Sequence, residues 1–133
     1  MTTPLTVADL SILGAVIAYL APGAIVKFGS YRDYDNAKPR DPAFFADPYR
    51  ARGLGAHQNG IEGFAFFAAA VIVAQMHGAA QSTVDALAVA YVLLRVVYIA
   101  AYLGNKPSAR SGVWFLAMAA NIALFLSPLF ARG

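Results

Sequence analysis

The sequence predicts an all-α integral membrane protein, a single four-transmembrane-helix bundle that covers residues 1–133. Its composition is the first observation, because 59% of the residues are hydrophobic and only 13% are charged. That charged share is about half of what a soluble domain carries. The second observation is a series of four apolar runs separated by polar segments. Each run has roughly 20 residues, enough to cross about 30 Å of hydrocarbon.

The first predicted span covers residues 5–26, with Asp9 near its outer end and Pro22 in its last turns. Membrane helices tolerate such a proline when neighbouring helices satisfy the backbone. No Lys or Arg precedes this apolar run, and the first one is Lys27. Secretory signal peptides have the opposite order of charge. We therefore expect an uncleaved first span.

A long polar loop of residues 27–53 follows, and it holds most of the charged side chains. Asp41-Pro42 and Asp47-Pro48 each have the pattern of a helix N-cap followed by proline at the first helical position. The second pair predicts a helix from about Pro48 to Met76. Only residues 55–76 of that helix are expected to lie within the membrane.

The two remaining spans are predicted at residues 84–103 and 112–130, joined by a loop that carries Lys106 and Arg110. Positive charge is thus concentrated in the first and third loops, which the positive-inside rule places in the cytoplasm. Both termini are then outside. Arg132, close to the C-terminus, opposes this assignment weakly.

Several classes of function are disfavoured by the residues present. The chain has no cysteine, which excludes disulfides, thiol nucleophiles and thiolate metal sites. Its basic residues lie in loops rather than in a patch interleaved with aromatic residues, so no nucleic-acid partner is expected. No metal-ligand constellation, phosphate loop or acyl-transfer serine motif is found.

Polar side chains within the third predicted span form one stripe. Tyr91, Arg95, Tyr98 and Tyr102 are separated by four, three and four residues, which places them on one helix face. Arg95 lies roughly 12 Å from the cytoplasmic end of this span, at 1.5 Å per residue. Tyrosines in such a stripe can simply line helix packing, each with one hydrogen bond.

Glu62 in the second span lies at a similar depth, roughly 9 Å from the cytoplasmic side. An unpaired charge at the centre of a membrane helix costs about 2.5–3.5 kcal/mol. We therefore predict an ion pair between Glu62 and Arg95. Two interpretations of this pair remain open, namely a functional contact and a buried pair that only fixes the helix register.

Arg52, Asn59 and Glu62 share one stripe of the second helix, with the small residue Gly55 between them. Such small residues leave space for a neighbouring helix or a ligand. His57 is expected at the membrane interface, where a lone histidine is usually solvated and seldom binds a ligand. Near the cytoplasmic ends of the spans, the sequence offers arginine, tyrosine, asparagine and carboxylate groups. Such groups suit the binding of an anionic ligand and the stabilisation of a thiolate.

Two segments of the chain resemble the MAPEG family, the membrane-associated proteins of eicosanoid and glutathione metabolism. They are RARGLGAHQNGIEGFAFF and RVVYIAAYLGNKPSARSGVWF. The first contains an Asn-x-x-Glu motif, Asn59 and Glu62. The second contains Arg-x-x-Tyr-x-x-x-Tyr, which is Arg95, Tyr98 and Tyr102. The loop segment YDNAKPRDP is similar to bacterial members, which implies a bacterial inner membrane.

The resemblance implies a homotrimer whose subunits bind glutathione between them, for transferase, peroxidase or isomerase reactions on lipophilic substrates. Asn59 and Glu62 would bind polar groups of the tripeptide, with Tyr102 facing it. Arg110 and Ser111 match an Arg-Ser pair that lies near the sulfur in some members, which makes them the expected catalytic residues. The expected ligand-binding residues are Arg52, Asn59, Glu62, Tyr98 and Tyr102.

Three positions depart from members of the family. Gln58 and Gly63 stand where some members have an arginine and a tyrosine, and the enzymes carry an arginine four residues before the motif asparagine. Here that residue is Gly55, and Arg52 would compensate for it in part. Arg110-Ser111 favours a glutathione-dependent transferase or peroxidase. Gly55 favours a non-enzymatic protein, either lipid-binding or a structural subunit of a larger membrane complex.

Overall fold

The computed structural model describes residues 3–131, and Arg132 lies outside this range. Four α-helices follow one another along the chain: α1 (Val7–Gly29), α2 (Pro48–Met76), α3 (Gln81–Leu103) and α4 (Pro107–Leu126). Short 3₁₀ segments occupy Phe44–Ala46 and Ser127–Phe130, and residues 3–131 contain no strand. All four helices, the last taken through Phe130, are long and apolar enough to cross a membrane. The predicted all-α, four-helix membrane fold is therefore confirmed.

Hydrogen bonds of polar side chains connect the ends of α1, α2 and α3 at the end of the bundle opposite the long loop. Thr6 and Asp9 form a capping box at the start of α1, with hydrogen bonds of 2.8 and 3.0 Å. Gln75 of α2 donates to the Thr6 hydroxyl at 2.9 Å. Asp85 of α3 accepts from the backbone N–H of Ala8 at 2.8 Å. These bonds join α1, α2 and α3 at one end of the bundle.

The start of α2 agrees with the sequence pattern. The Asp47 carboxylate accepts from the backbone N–H of Arg50 at 3.0 Å, and Pro48 takes the first helical position. Asp41 also accepts a backbone hydrogen bond, but only the 3₁₀ segment follows it. Helical backbone angles are disfavoured for a residue that precedes proline. The 3₁₀ segment therefore ends before Asp47, and α2 begins at Pro48.

The loop of residues 30–47 is folded onto the first turn of α2 by Arg50. The guanidinium of Arg50 pairs with Asp33, the one ion pair found between residues 3 and 131. It also donates to the Ser30 hydroxyl at 3.2 Å and lies 4.5 Å from the ring centre of Phe44. The loop therefore has a defined position over the end of the bundle, which we call the basic end.

Two glycines allow α2 to approach α1 closely. A Cβ atom at Gly60 would lie 2.5 Å from the Cβ of Tyr19. A Cβ atom at Gly53 would lie 3.0 Å from the carbonyl oxygen of Pro22, and closer still to Val26. Small residues at such crossings are typical of membrane helix pairs. We call this close contact of α1 with Gly53 and Gly60 of α2 the seam, and it determines which face of α2 turns toward α1.

One face of α2 has no partner among residues 3–131, although it includes polar residues of a membrane span. Its members are exposed and are separated alternately by four and three residues, which is a heptad spacing. We call this face the α2 stripe, and it consists of Gln58, Glu62, Ala65, Ala69, Ile72 and Met76. Four of its six members are polar or small, and such residues suit contact with another helix better than contact with lipid.

Candidate functional site

A cleft of about 500 Å³ opens between α2 and α4 near the basic end, with α3 at its back. It brings together six residues that the sequence predicts to bind a ligand or to catalyse: Asn59, Glu62, Tyr98, Tyr102, Arg110 and Ser111. The other lining residues are Gly55, Gln58, Trp114 and Phe115. The predicted site is thus one continuous surface within a single chain.

Helical spacing explains how these residues meet. Gly55, Asn59 and Glu62 recur every three or four residues on α2, and Tyr98 and Tyr102 are four apart on α3. Arg110 and Ser111 lie within the first turns of α4, because this helix starts at Pro107 and not at residue 112 as predicted for the span. Proline suits the first position of a helix, so the start at Pro107 follows a known preference.

The cleft contains one carboxylate and one guanidinium that do not neutralise each other. Glu62 is exposed on the α2 wall, and Arg110 is half-buried on the α4 wall. Neither forms an ion pair with another residue in the described range 3–131. The Arg110 guanidinium instead lies 4.7 Å from the ring centre of Tyr102. A ligand with both a positive and a negative group fits this arrangement.

Asn59 provides an acceptor without a donor. Its side-chain oxygen is buried, yet it has no hydrogen-bond partner among residues 3–131. A buried acceptor left in this state costs about 1–3 kcal/mol. Since Asn59 lines the cleft, an N–H group of a bound molecule can provide the missing hydrogen bond.

Tyr102 occupies the space that a side chain at position 55 would need. A Cβ atom at Gly55 would lie 2.9 Å from the Cζ of Tyr102, and closer still to its hydroxyl oxygen. The Tyr102 ring also packs edge-on against Tyr98, with 5.6 Å between the ring centres. Glycine at position 55 is therefore required for the present position of the Tyr102 phenol.

A comparison of the sequence with protein-family models gives a match to the MAPEG family over residues 5–130. The chain belongs to the MAPEG family. The resemblance carried by the two sequence segments is thereby confirmed, and with it the character of a multi-pass membrane protein. Searches of curated proteins and of solved structures gave no significant match.

The ion pair predicted between Glu62 and Arg95 is not formed in this MAPEG chain. Arg95 is only 5% exposed, and its guanidinium lies 4.1 Å from the ring centre of Tyr98. It faces the seam, 3.8 Å from the position of a Cβ atom at Gly60. Glu62 is two residues further along α2, about 200° around the helix, and faces the cleft. Matched depth alone therefore does not predict a contact, because Arg95 faces the seam and Glu62 faces the cleft.

Arg52 does not line the cleft, contrary to the prediction that it binds the ligand. Its Nε donates to the backbone carbonyl of Leu103 at 3.3 Å. The guanidinium also lies 5.7 Å from the ring centre of Tyr49. A carbonyl in the last turn of a helix has no intrahelical donor, so Arg52 caps α3 and holds it to α2.

Three lining residues of the MAPEG cleft were missed by sequence reasoning. Gln58 is not among the predicted site residues, but it borders the cleft. Trp114 and Phe115 pack edge-on against each other, with 5.1 Å between their ring centres. Each lies four residues after Arg110 or Ser111, and this spacing was the signal that could have identified them.

Proposed function

We propose that this MAPEG chain is a glutathione-dependent transferase or peroxidase that acts on an apolar substrate. The observation that carries the proposal is the side-chain oxygen of Asn59, which has no hydrogen-bond partner among residues 3–131. It shares the cleft with a carboxylate and a guanidinium that form no ion pair within the same range. Glutathione has peptide N–H groups, an ammonium group, carboxylates and a thiol. These groups are complementary to the three side chains of the cleft.

Each cleft residue has a role in this proposal. Glu62 binds the ammonium group, and the Asn59 oxygen accepts from a peptide N–H. Tyr102 packs against the tripeptide. When bound, glutathione supplies a thiol, whose thiolate form is the nucleophile. Arg110 places positive charge beside the sulfur, and the Ser111 hydroxyl donates a hydrogen bond to it.

The apolar part of the cleft supports a lipophilic second substrate. Trp114 and Phe115 continue the surface of α4 beyond Ser111, and Phe115 is exposed. In a membrane this side chain meets lipid, so an apolar molecule dissolved in the bilayer reaches the cleft without crossing water. The polar ligand enters from the basic end, and the two substrates meet near Ser111.

A homotrimer built through the α2 stripe completes the proposal, and the number of subunits follows the family resemblance. In a single chain the stripe would leave Glu62 and Gln58 facing lipid. A charge in that position costs about 2.5–3.5 kcal/mol, which association removes. A neighbouring subunit then covers the open side of the cleft. Ala69→Cys is expected to form an intersubunit disulfide, and Ile17→Cys on the exposed face of α1 is not.

The binding of glutathione to purified protein in a native-like bilayer tests the function. Titration calorimetry should give binding heat at millimolar glutathione, and ultraviolet difference absorbance should show thiolate at neutral pH. Arg110→Ala is expected to abolish the thiolate signal. Lys106→Ala removes a charge from the same end of the bundle, outside the cleft, and should leave the signal unchanged. Wild-type protein with neither heat nor thiolate signal overturns the proposal.

One observation supports a non-enzymatic alternative, a lipid-binding or structural subunit of a larger membrane complex. Position 55 is a glycine covered by the Tyr102 phenol and offers no cation. Among the described residues, Arg110 is then the one guanidinium that lines the cleft. Failure of glutathione to bind in the titration above favours this alternative. A complex with other membrane proteins that survives purification in mild detergent supports the structural role.

A further inference from the structure

A small cavity lies beside the seam, in the interior of the bundle between α1, α2 and α3. Ala18 and Tyr19 of α1, Gly60 of α2, and Tyr91 and Arg95 of α3 are among its walls. None of the described residues that line it also lines the cleft. The cavity is therefore a separate space, enclosed by helices of one chain.

Arg95 is the one charged residue among the described residues that line this cavity. Its side chain is 5% exposed, and it forms no ion pair with another residue between positions 3 and 131. Charges buried in a membrane protein are normally paired, because an uncompensated charge is costly there. The Tyr98 ring, 4.1 Å from the guanidinium carbon, offsets only part of that cost. The interior of the bundle thus holds a positive charge that still needs a counter-charge.

The space beside the guanidinium stays open because position 60 is a glycine. The terminal nitrogen Nη2 of Arg95 lies 3.8 Å from the position that a Cβ atom at Gly60 would take. The neighbouring charged residue Glu62 cannot fill this space, since it faces the cleft on the other side of α2. A counter-charge for Arg95 must therefore come from a molecule that enters the cavity.

The size of the cavity limits that molecule to one small particle. The centre of a water-sized sphere can move through about 10 Å³ of it, which is about the least that one buried water or an ion of similar size needs. A water molecule would accept hydrogen bonds from the guanidinium and leave its charge uncompensated. A monovalent anion would do both.

We propose that Arg95 holds one small inorganic anion, of the size of chloride, in this cavity. The anion accepts hydrogen bonds from the guanidinium N–H groups beside Gly60, while the Tyr98 ring remains against the guanidinium carbon. It lies between α2 and α3 and acts as a structural counter-ion. The stability of the bundle then depends on the anion, independently of glutathione.

Thermal unfolding of the purified protein, without glutathione, tests the anion site. Chloride replaces gluconate at constant ionic strength, because gluconate is too large for the cavity and screening by salt is then unchanged. For a dissociation constant of about 10 mM, 100 mM chloride should raise Tm by about 5 °C. Bromide should act like chloride. The same Tm in chloride and in gluconate would mean that the cavity holds water only, and would overturn the proposal.

Variants show where the anion binds. Arg95→Met removes the cation, and Ala18→Val fills the cavity while it keeps the cation, so both should lose the chloride effect. Ala119→Val adds the same bulk on an exposed face of α4 and should keep the effect. Arg110→Gln removes the guanidinium of the cleft and should also keep it. Loss of the effect in Arg110→Gln, with retention in Ala18→Val, would place the anion in the cleft and overturn the site.

Crystals grown in bromide provide a test that needs no variant. Anomalous diffraction at the bromine edge should show one peak beside Nη2 of Arg95. The absence of a peak there would overturn the proposal even if chloride stabilises the protein.

Discussion

Arg95 is a buried cation whose guanidinium meets an aromatic face and no carboxylate within the described chain. We expect Arg95→Lys to lower the free energy of unfolding by about 1–2 kcal/mol, because an ammonium is more strongly hydrated and lacks the planar stacking surface. Glu62→Gln should change it by less than about 1 kcal/mol, since Glu62 is exposed in this chain. Unfolding in detergent measures both.

A double-mutant cycle on these two residues provides the decisive control. The structure predicts no significant coupling energy between Arg95 and Glu62, because Arg95 faces the seam, Glu62 faces the cleft, and the two form no ion pair. A coupling energy of about 1.5 kcal/mol or more, as double-mutant cycles find for close charge pairs, would contradict the structure and restore the ion pair predicted from the sequence.

Gly55 allows a second prediction at the scale of single residues. Gly55→Ala should destabilise the protein by about 1–3 kcal/mol, because the new methyl group collides with the Tyr102 phenol. The double variant Gly55→Ala/Tyr102→Phe should recover part of the loss, as the hydroxyl is the closest group. Gly112→Ala is the matched control, since a Cβ atom there meets nothing within 4 Å. Thermal unfolding compares the three, and equal effects at positions 55 and 112 would contradict the packing.

At the scale of helices, Asp85 links the start of α3 to the start of α1. Asp85→Ala should lower the free energy of unfolding by about 1–2 kcal/mol, because the Ala8 N–H loses its acceptor. Asp85→Asn keeps a carbonyl oxygen and should cost less. Glutathione binding should be unchanged in both variants, as Asp85 lies at the opposite end of the bundle from the cleft. A parallel loss of binding would instead indicate that the ends are coupled.

The helices themselves were accessible from the sequence. Long apolar runs fix four spans, and the Asp47-Pro48 pair gives the start of α2 because its chemistry is local. Helical spacing also groups Asn59 with Glu62, and Tyr98 with Tyr102, which explains why most of the cleft was predicted. Local spacing says which residues share a face of one helix.

Rotation of one helix against another was not accessible in the same way. The seam at Gly53 and Gly60 turns α2 so that Glu62 faces away from Arg95. Depth along a helix follows from residue counting, but this rotation depends on packing between helices. Arg52 fails for a related reason, because its long side chain reaches the end of α3 and not the cleft.

At the scale of the whole molecule, the distribution of basic residues predicts the orientation in the membrane. The loops at residues 30–47 and 104–106 share one end of the bundle, which we expect to be cytoplasmic. Cysteines introduced at Ser30 and Ser108 should be protected from an impermeant thiol reagent in intact cells, and one at Ser82 should react. Permeabilised cells control for burial, because all three should then react. The reverse pattern in intact cells would place the basic end outside.

The length of α2 has a consequence for the thickness of the bilayer. At 1.5 Å per residue its 29 residues extend about 44 Å, well beyond about 30 Å of hydrocarbon. Since only residues 55–76 are predicted to lie within the membrane, we expect its first turns to stand among the lipid head groups, with the mouth of the cleft at Gly55 at their level. Longer acyl chains would draw this mouth below the head groups and away from water. Lipids of graded chain length should thus tune access of a polar ligand, with no change in the cleft itself.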